Sequence, residues 1–157
     1  MTRAKAEGYN SVNPILTFKD ARKAIDFYRR AFGARERFVL PGPDGRGVMH
    51  AELQIGDSVI MMGEENPQNP CRSAETLGMS PVSFYLYLED VDEAFKTAVA
   101  AGAKVRMPVQ EMFWGDRAGT VEDPFGYGWF LATHTRDLTM EEIQEGAKAM
   151  FAEKAAE

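Results

Sequence analysis

The sequence contains one cysteine, Cys71, among its 157 residues, so no disulfide can form within the chain. Disulfides mainly stabilise secreted domains that are too small to build a core, and a chain of this length buries enough surface to fold without them. The opening residues, MTRAKAEGYN, also lack the apolar stretch of a secretory signal. The sequence therefore predicts a cytoplasmic protein.

Long apolar runs and basic clusters are missing as well. No run approaches the roughly 20 apolar residues of a membrane-spanning helix, so no membrane partner is expected. The formal net charge is −6, and the 18 Lys and Arg residues form no stripe. Because binding to a phosphate backbone requires such a stripe, the sequence also predicts no nucleic-acid partner. Nucleotide-binding loops and nucleophile elbows are absent too, which leaves covalent and nucleotide chemistry without support.

The first half of the chain has a strand–helix–strand–strand–strand pattern. A short buried strand is predicted over Val12–Phe18, followed by an amphipathic helix over Ala21–Phe32 that Gly33 ends. Three strand patterns follow, separated by turns at 41–45 and at 56–57: Arg35–Leu40, Val48–Ile55 and Ser58–Met62. This order predicts one βαβββ unit.

The second half repeats that order. Its pattern predicts a strand, a helix and three more strands: Ser83–Leu88, Asp90–Ala101, Lys104–Glu111, Arg117–Glu122 and Tyr127–Thr133. An offset of about 70 residues relates Asp20 to Asp90 and Gly33 to Gly102. Such a repeat indicates a duplicated supersecondary unit.

The repeat divides the chain into segments within a single predicted domain, residues 1–157. The first module covers about 11–63 and the second about 82–135. Residues 64–81 form a connector rich in Asn, Pro and Ser, a composition that favours turns over regular structure. A final helix is predicted over about 139–154, where Thr139 and Glu142 have the spacing of a capping box.

Two phrases carry a resemblance to a known family: D-x3-A-x2-FY with FGA over Asp20–Ala34, and WGDRAGTVEDPFGYGWFLATH over Trp114–His134. Together with the repeated βαβββ order, they resemble the vicinal oxygen chelate superfamily of glyoxalases, bleomycin-resistance proteins and extradiol dioxygenases, and its PhnB-like branch in particular. The resemblance implies an α+β fold of two βαβββ modules, whose curved mixed sheets surround cup-shaped cavities; the C-terminal helix predicted above is added to this fold. It also implies a homodimer.

Many enzymes of this superfamily hold a divalent metal with His and Glu side chains on the first and last strands of each module. The corresponding first-strand positions fall here on Asn13 and Ser83, and the last-strand positions fall on Met61 or Met62 and on Phe130. Those side chains lack the imidazole and carboxylate donors that such a site needs. The sequence therefore predicts no metal ion and no cofactor.

The two histidines have different expected roles. Strand alternation places His50 and Glu52 on one face of their strand, where the imidazole would orient a ligand or act as an acid or base. The competing interpretation is a half-exposed histidine without a function. His134 ends an apolar run and is predicted to make structural hydrogen bonds.

The segment from Trp114 to Arg117 is the second candidate site. Trp114 would provide an aromatic wall, and Arg117 a bidentate clamp for a small anion. The alternative is a hairpin in which Asp116 and Arg117 form a surface ion pair. Core packing is expected to use most strand aromatics, while a subset lines an apolar pocket.

Two functional hypotheses follow, beside a purely structural or interaction role. The first is a metal-free protein that binds a small anionic or aromatic molecule through seven side chains: His50, Tyr85, Tyr87, Trp114, Asp116, Arg117 and Trp129. The second is a metal-dependent lyase, isomerase or dioxygenase of the same superfamily, in which His50 acts with unusual carboxylates such as Glu52. His50 is the one candidate catalytic residue, and whether the chain is an enzyme is open between the two.

Overall fold

The computed structural model describes residues 4–155; residues 1–3 and 156–157, which the predicted domain includes, lie outside the described residues. The first half contains β1 (Ile15–Phe18), α1 (Ala21–Phe32), β2 (Arg35–Pro41), β3 (Val48–Ile55) and β4 (Ser58–Glu64). A short α2 (Ala74–Leu77) lies between the halves. The second half contains β5 (Ser83–Tyr87), α3 (Val91–Ala101), β6 (Lys104–Glu111), β7 (Asp116–Glu122), β8 (Gly128–His134) and α4 (Met140–Ala155).

The eight strands form two curved mixed sheets that do not close into a barrel. Their strand orders are β1-β4-β3-β2 and β5-β8-β7-β6. In each sheet the first strand of the module pairs in parallel with the last strand, and the remaining pairs are antiparallel. This arrangement confirms the predicted α+β fold of two βαβββ modules.

The helix of each module begins and ends with the same local signals. The carboxylate of Asp20 caps α1 by accepting a hydrogen bond from the Lys23 amide at 3.1 Å, and Asp90 caps α3 in the same way. Gly33 and Gly102 follow the two helices in left-handed conformations, with φ of 64° and 119°. Because these signals are local in sequence, the pattern locates both helices.

The largest differences from the sequence prediction lie in β1 and in the connector. β1 begins at Ile15 rather than Val12, since Pro14 has no amide hydrogen for the sheet. The connector contains α2, where only turns were predicted; the Ser73 side chain caps this helix, and Gly78 follows it with φ of 80°. The predicted capping box of α4 is confirmed, because Thr139 and Glu142 exchange hydrogen bonds of 2.7 and 3.2 Å. Within residues 4–155, no helix is long and apolar enough to cross a membrane.

The core lies where the helices of the two modules pack together and against their sheets. A buried carboxylate, Asp123, joins the modules inside this core: it accepts hydrogen bonds from Tyr28 at 2.6 Å, from Trp129 Nε1 at 3.0 Å and from the amides of Phe125 and Tyr127 at 2.9 Å. Burial raises the pKa of Asp123, and these hydrogen bonds offset part of that effect.

Each sheet packs one side against the helices, and its other side is partly exposed. In β5 the side chains of Phe84 and Leu86 pack against the core, whereas Tyr85 and Tyr87 on the opposite side are 43% and 61% exposed. We call that opposite side the open face of the second sheet; its other members include Ala118 of β7 and Phe130 and Ala132 of β8.

Candidate functional site

A buried carboxylate, that of Asp116, lies at one end of the open face of the second sheet. Its Oδ2 atom accepts hydrogen bonds from the Tyr85 phenol at 2.6 Å, the Tyr87 phenol at 3.1 Å and Trp114 Nε1 at 3.1 Å. Its Oδ1 atom bonds to Nδ1 of His134 at 2.7 Å. We call these five residues the Asp116 cluster; they are four of the predicted ligand contacts together with His134.

The strands and one turn bring the cluster together. Alternation along β5 places Tyr85 and Tyr87 on the same side of the sheet, and the β7–β8 register places His134 opposite Asp116. Trp114 reaches the carboxylate from the turn between β6 and β7. That turn needs a glycine at Gly115, which has φ of 98° and lies so close to the carbonyl of Arg136 that a Cβ atom would overlap it.

The electrostatics keep the carboxylate charged and the phenols protonated. Burial favours a neutral Asp116, but the hydrogen bonds from Tyr85, His134, Tyr87 and Trp114 outweigh it and lower the pKa of Asp116. Burial and the hydrogen bond to Asp116 raise the pKa of Tyr85 to about 12. The hydrogen bonds to Asp116 and Asp137 raise the pKa of His134 above 6.5.

The cluster offers an aromatic surface with hydrogen-bond acceptors. The rings of Tyr85 and Phe130 stack with 5.6 Å between centroids, and those of Tyr85 and Tyr87 lie 5.2 Å apart. Each phenol donates its only hydrogen to Asp116. The Tyr85 oxygen also accepts a hydrogen bond from Trp114 Nε1 at 3.1 Å, so the Tyr87 oxygen is the phenol acceptor that remains for a ligand. Such a surface suits a flat molecule that carries N–H or O–H groups.

Arg117, predicted to act with Trp114, points to the opposite side of the sheet. Its guanidinium forms a bidentate pair with Asp92 of α3, at 2.8 and 2.9 Å, and also contacts Glu111 at 3.4 Å. Successive residues of a strand point in opposite directions, so Asp116 and Arg117 do not pair with each other. The structure thus separates Arg117 from Trp114 and from the rest of the cluster.

Trp129, another predicted ligand contact, lies in the core. It is 2% exposed, and its ring packs on those of Phe32 and Phe84 with centroid distances of 4.6 and 4.7 Å. Its Nε1 hydrogen is donated to Asp123. These contacts place the indole on the helix side of the sheet and away from the open face.

His50 lies on the first sheet within a separate polar cluster. Its Nε2 atom is 3.3 Å from Glu52, on the same side of β3, as strand alternation predicts. Glu52 is 3% exposed and also accepts a hydrogen bond from Tyr9 at 2.8 Å, while Nε of Arg37 lies 3.6 Å from it. Sequence reasoning missed Tyr9 and Arg37, because neither lies near His50 in the sequence or has a motif.

The side chains present do not fit the metal site that the resemblance implies. At the expected positions, Met62 is fully buried and Phe130 stacks on Tyr85. Both ring nitrogens of His134 are engaged by carboxylates, at 2.7 and 3.0 Å, which leaves no lone pair for a metal. Across residues 4–155, no group of three or more His, Cys, Asp or Glu side chains is placed to hold a metal ion.

Comparison with known proteins agrees with this fold. The family model of the Glyoxalase/Bleomycin resistance protein/Dioxygenase superfamily matches residues 9–131. The uncharacterized protein Rv0887c of Mycobacterium tuberculosis is 41% identical over 137 residues, which cover 85% of this chain and 80% of that protein.

Solved structures support the same assignment. TioX from Micromonospora sp. ML1 is 28% identical, with a TM-score of 0.61 over 80% of this chain and 98% of TioX. The PhnB protein of Bacillus cereus, at 18% identity, shares the fold with a TM-score of 0.62 over 79% of this chain and 99% of its own. With both modules, their repeated order and the family model in agreement, the chain belongs to the Glyoxalase/Bleomycin resistance protein/Dioxygenase superfamily.

Proposed function

We propose that this protein binds a small planar aromatic molecule on the open face of the second sheet, without a metal ion. One observation carries the proposal: the buried carboxylate of Asp116 fixes the ring edges of Tyr85, Tyr87 and Trp114 before any ligand arrives. Rings that are already held lose little conformational freedom on binding, so more of the stacking energy contributes to affinity.

The charges around the cluster favour one of the two predicted ligand classes. Asp116 is anionic near neutral pH, and Oδ1 of Asp137 lies 3.0 Å from Nε2 of His134. The guanidinium of Arg117, which an anionic ligand would need, is bound by Asp92 on the other side of the sheet. A neutral or cationic aromatic molecule with hydrogen-bond donors therefore fits this face better than an anion.

We also propose that the protein is cytoplasmic and forms a homodimer. Support for the dimer comes from α4, on which Met140 and Phe151 are 68% and 64% exposed. A second copy of the chain would cover these two side chains, which are the candidate contacts of the dimer that the family resemblance implies. Sedimentation velocity of the purified protein measures the assembly directly, and a monomer at all concentrations would contradict it.

Titration with proflavine, a flat aromatic cation that carries two amino groups, tests the binding face. Trp129 lies in the core and Trp114 lies at the open face, so the part of the quenching that is lost in Trp114→Phe reports on this face. We expect saturable quenching of Trp114 emission by proflavine. Replacing Tyr87 by Phe removes one acceptor from an exposed position and is expected to weaken binding.

A matched control lies on the outer strand of the same sheet. Arg106 pairs with Glu122 at the surface, and Arg106→Gln is expected to leave proflavine binding unchanged. The anionic dye 8-anilinonaphthalene-1-sulfonate serves as a comparison of charge. The proposal is wrong if proflavine quenching does not saturate, or if the anionic dye binds this face more tightly than proflavine.

A further inference from the structure

A cavity of about 450 Å³ lies outside the open face of the second sheet. It is a cleft between β1, the connector with α2, and the start of β5. Its walls are largely apolar and include Pro14, Ile15, Leu77, Met79, Val82 and Phe84. No member of the Asp116 cluster lines this cleft, so it is a separate site.

The apolar walls of the cleft are unusually accessible. Ile15, Leu77, Met79 and Val82 are 69%, 60%, 67% and 53% exposed. Single exposed apolar residues are ordinary, but several around one concave surface are typical of a site that another molecule covers. The volume of the cleft also lies within the range of small-molecule sites, about 300–1,000 Å³.

The guanidinium of Arg72 lies beside these apolar walls. Arg72 lines the cleft, and its Nη1 atom donates to the backbone carbonyls of Asn69 and Cys71 at 2.6 and 2.9 Å. Among residues 4–155, no ion pair involves Arg72 and none of its hydrogen bonds uses Nε or Nη2. Those nitrogens are placed to bind a carboxylate from outside the chain.

The nearby acidic groups do not neutralise this guanidinium by direct contact. Glu65 is close enough to feel its charge, but the Glu65 carboxylate accepts hydrogen bonds from the Ser73 amide and hydroxyl at 2.8 and 2.7 Å. Glu75 lies on α2, where its charge adds to burial in raising the pKa of Tyr127, and it makes no ion pair with Arg72.

We propose that this cleft binds an amphipathic anion, whose apolar body lies against Ile15, Leu77 and Met79 and whose carboxylate contacts Arg72. The apolar walls supply affinity by removing hydrocarbon from water. The guanidinium sets the orientation of the ligand and selects a carboxylate over a neutral head group. This ligand differs in charge from the aromatic molecule proposed for the open face.

Decanoate, below its micelle concentration, is a suitable probe, and Cys71 provides the signal. Cys71 is exposed, lines the cleft and is the only cysteine, so the mass of the alkylated protein reports on one position. We expect decanoate to slow alkylation of Cys71 by iodoacetamide in a saturable way. Because a charge-assisted contact is lost, decanol is expected to bind about tenfold more weakly.

Two variants separate the head-group contact from the apolar wall. Arg72→Gln is expected to weaken the binding of decanoate about tenfold and to leave the binding of decanol unchanged. For each variant, the rate of Cys71 alkylation with ligand is compared with the rate without ligand. Leu77→Ser, at a position that is 60% exposed, is expected to weaken binding of both compounds. The surface variant Arg106→Gln should leave both affinities unchanged, and calorimetric titration provides an independent measure of each affinity.

Two outcomes would overturn the inference. Equal affinities for decanoate and decanol would show that Arg72 selects no carboxylate. Protection of Cys71 that increases with protein concentration alone, together with dimers in sedimentation, would show that a second copy of the chain covers the cleft. Proflavine binding is read from Trp114, outside the cleft, so failure here is distinguishable from failure of the proposed function.

Discussion

The phenol of Tyr28 donates a hydrogen bond to Oδ2 of Asp123 at 2.6 Å, and this bond joins the helix of the first module to the last turn of the second. Both side chains are fully buried. A second bond across the modules, from the Tyr127 phenol to the carbonyl of Thr17 at 2.8 Å, lies close by. The modules are therefore held together by directional polar contacts as well as by apolar packing.

The first prediction concerns this bond. Tyr28→Phe removes one of the donors to Asp123 and leaves a buried carboxylate with less compensation, which is expected to lower the free energy of unfolding by about 1–3 kcal/mol. Urea denaturation measures the change through the midpoint at a constant slope. Arg106→Gln, at the surface, serves as the control. If Tyr28→Phe lowers the free energy of unfolding no more than Arg106→Gln does, the bond does not stabilise the fold.

The second prediction concerns pH and His134. The carboxylates of Asp116 and Asp137 raise the pKa of His134 above 6.5, so the protonated imidazole stabilises the folded state. This stabilisation is complete below the unfolded pKa, near 6.5, and is lost as pH rises through the higher folded pKa. The urea midpoint of the wild-type protein should therefore exceed that of His134→Gln most at pH 6. A difference that grows between pH 6 and 9 would contradict it.

The third prediction concerns the phenols of the Asp116 cluster. Burial and the neighbouring carboxylate raise the pKa of Tyr85 to about 12, and they raise the pKa of Tyr87 in the same direction. Asp116→Asn removes the negative charge, so both phenols should ionise at lower pH. Tyrosinate absorbance during an alkaline titration measures this. Identical titration curves for the variant and the wild-type protein would show that Asp116 does not control these groups.

The fourth prediction concerns Arg117. Its guanidinium is bound by Asp92 and Glu111 on the helix side of the sheet, so Arg117→Gln should leave the affinity for proflavine within about twofold. The same fluorescence titration measures this affinity. A large loss of binding would contradict this and support the sequence prediction, in which Arg117 and Trp114 contact the same ligand.

Local signals explain why the fold was predictable. Asp20 with Gly33, and Asp90 with Gly102, mark the ends of the two helices, and strand alternation marks the faces between them. The missed α2 also has such signals, in Ser73 before it and Gly78 after it. It has only four residues, so no apolar period could develop against the turn-rich composition around it.

The site was predictable only in part. Tyr85, Tyr87, Trp114 and Asp116 were among the predicted ligand contacts. The partner of Arg117, in contrast, lies on α3, which no local pattern relates to β7. β7 also begins at Asp116 rather than Arg117, and this places the two side chains on opposite faces of one strand. Trp129 and Phe130 are adjacent aromatic residues on β8 that point to opposite sides of the sheet, so the sequence alone does not say which of them faces the core.

The parallel pairing of β1 with β4, and of β5 with β8, affects the order in which the strands can pair during folding. During synthesis, β1 leaves the ribosome first but has no partner until β4 follows, and Ile15 then pairs with Met61 across the whole module. The same delay recurs for β5 and β8. Pairings between distant segments close slowly, so each nascent module exposes an unpaired apolar edge until its last strand arrives.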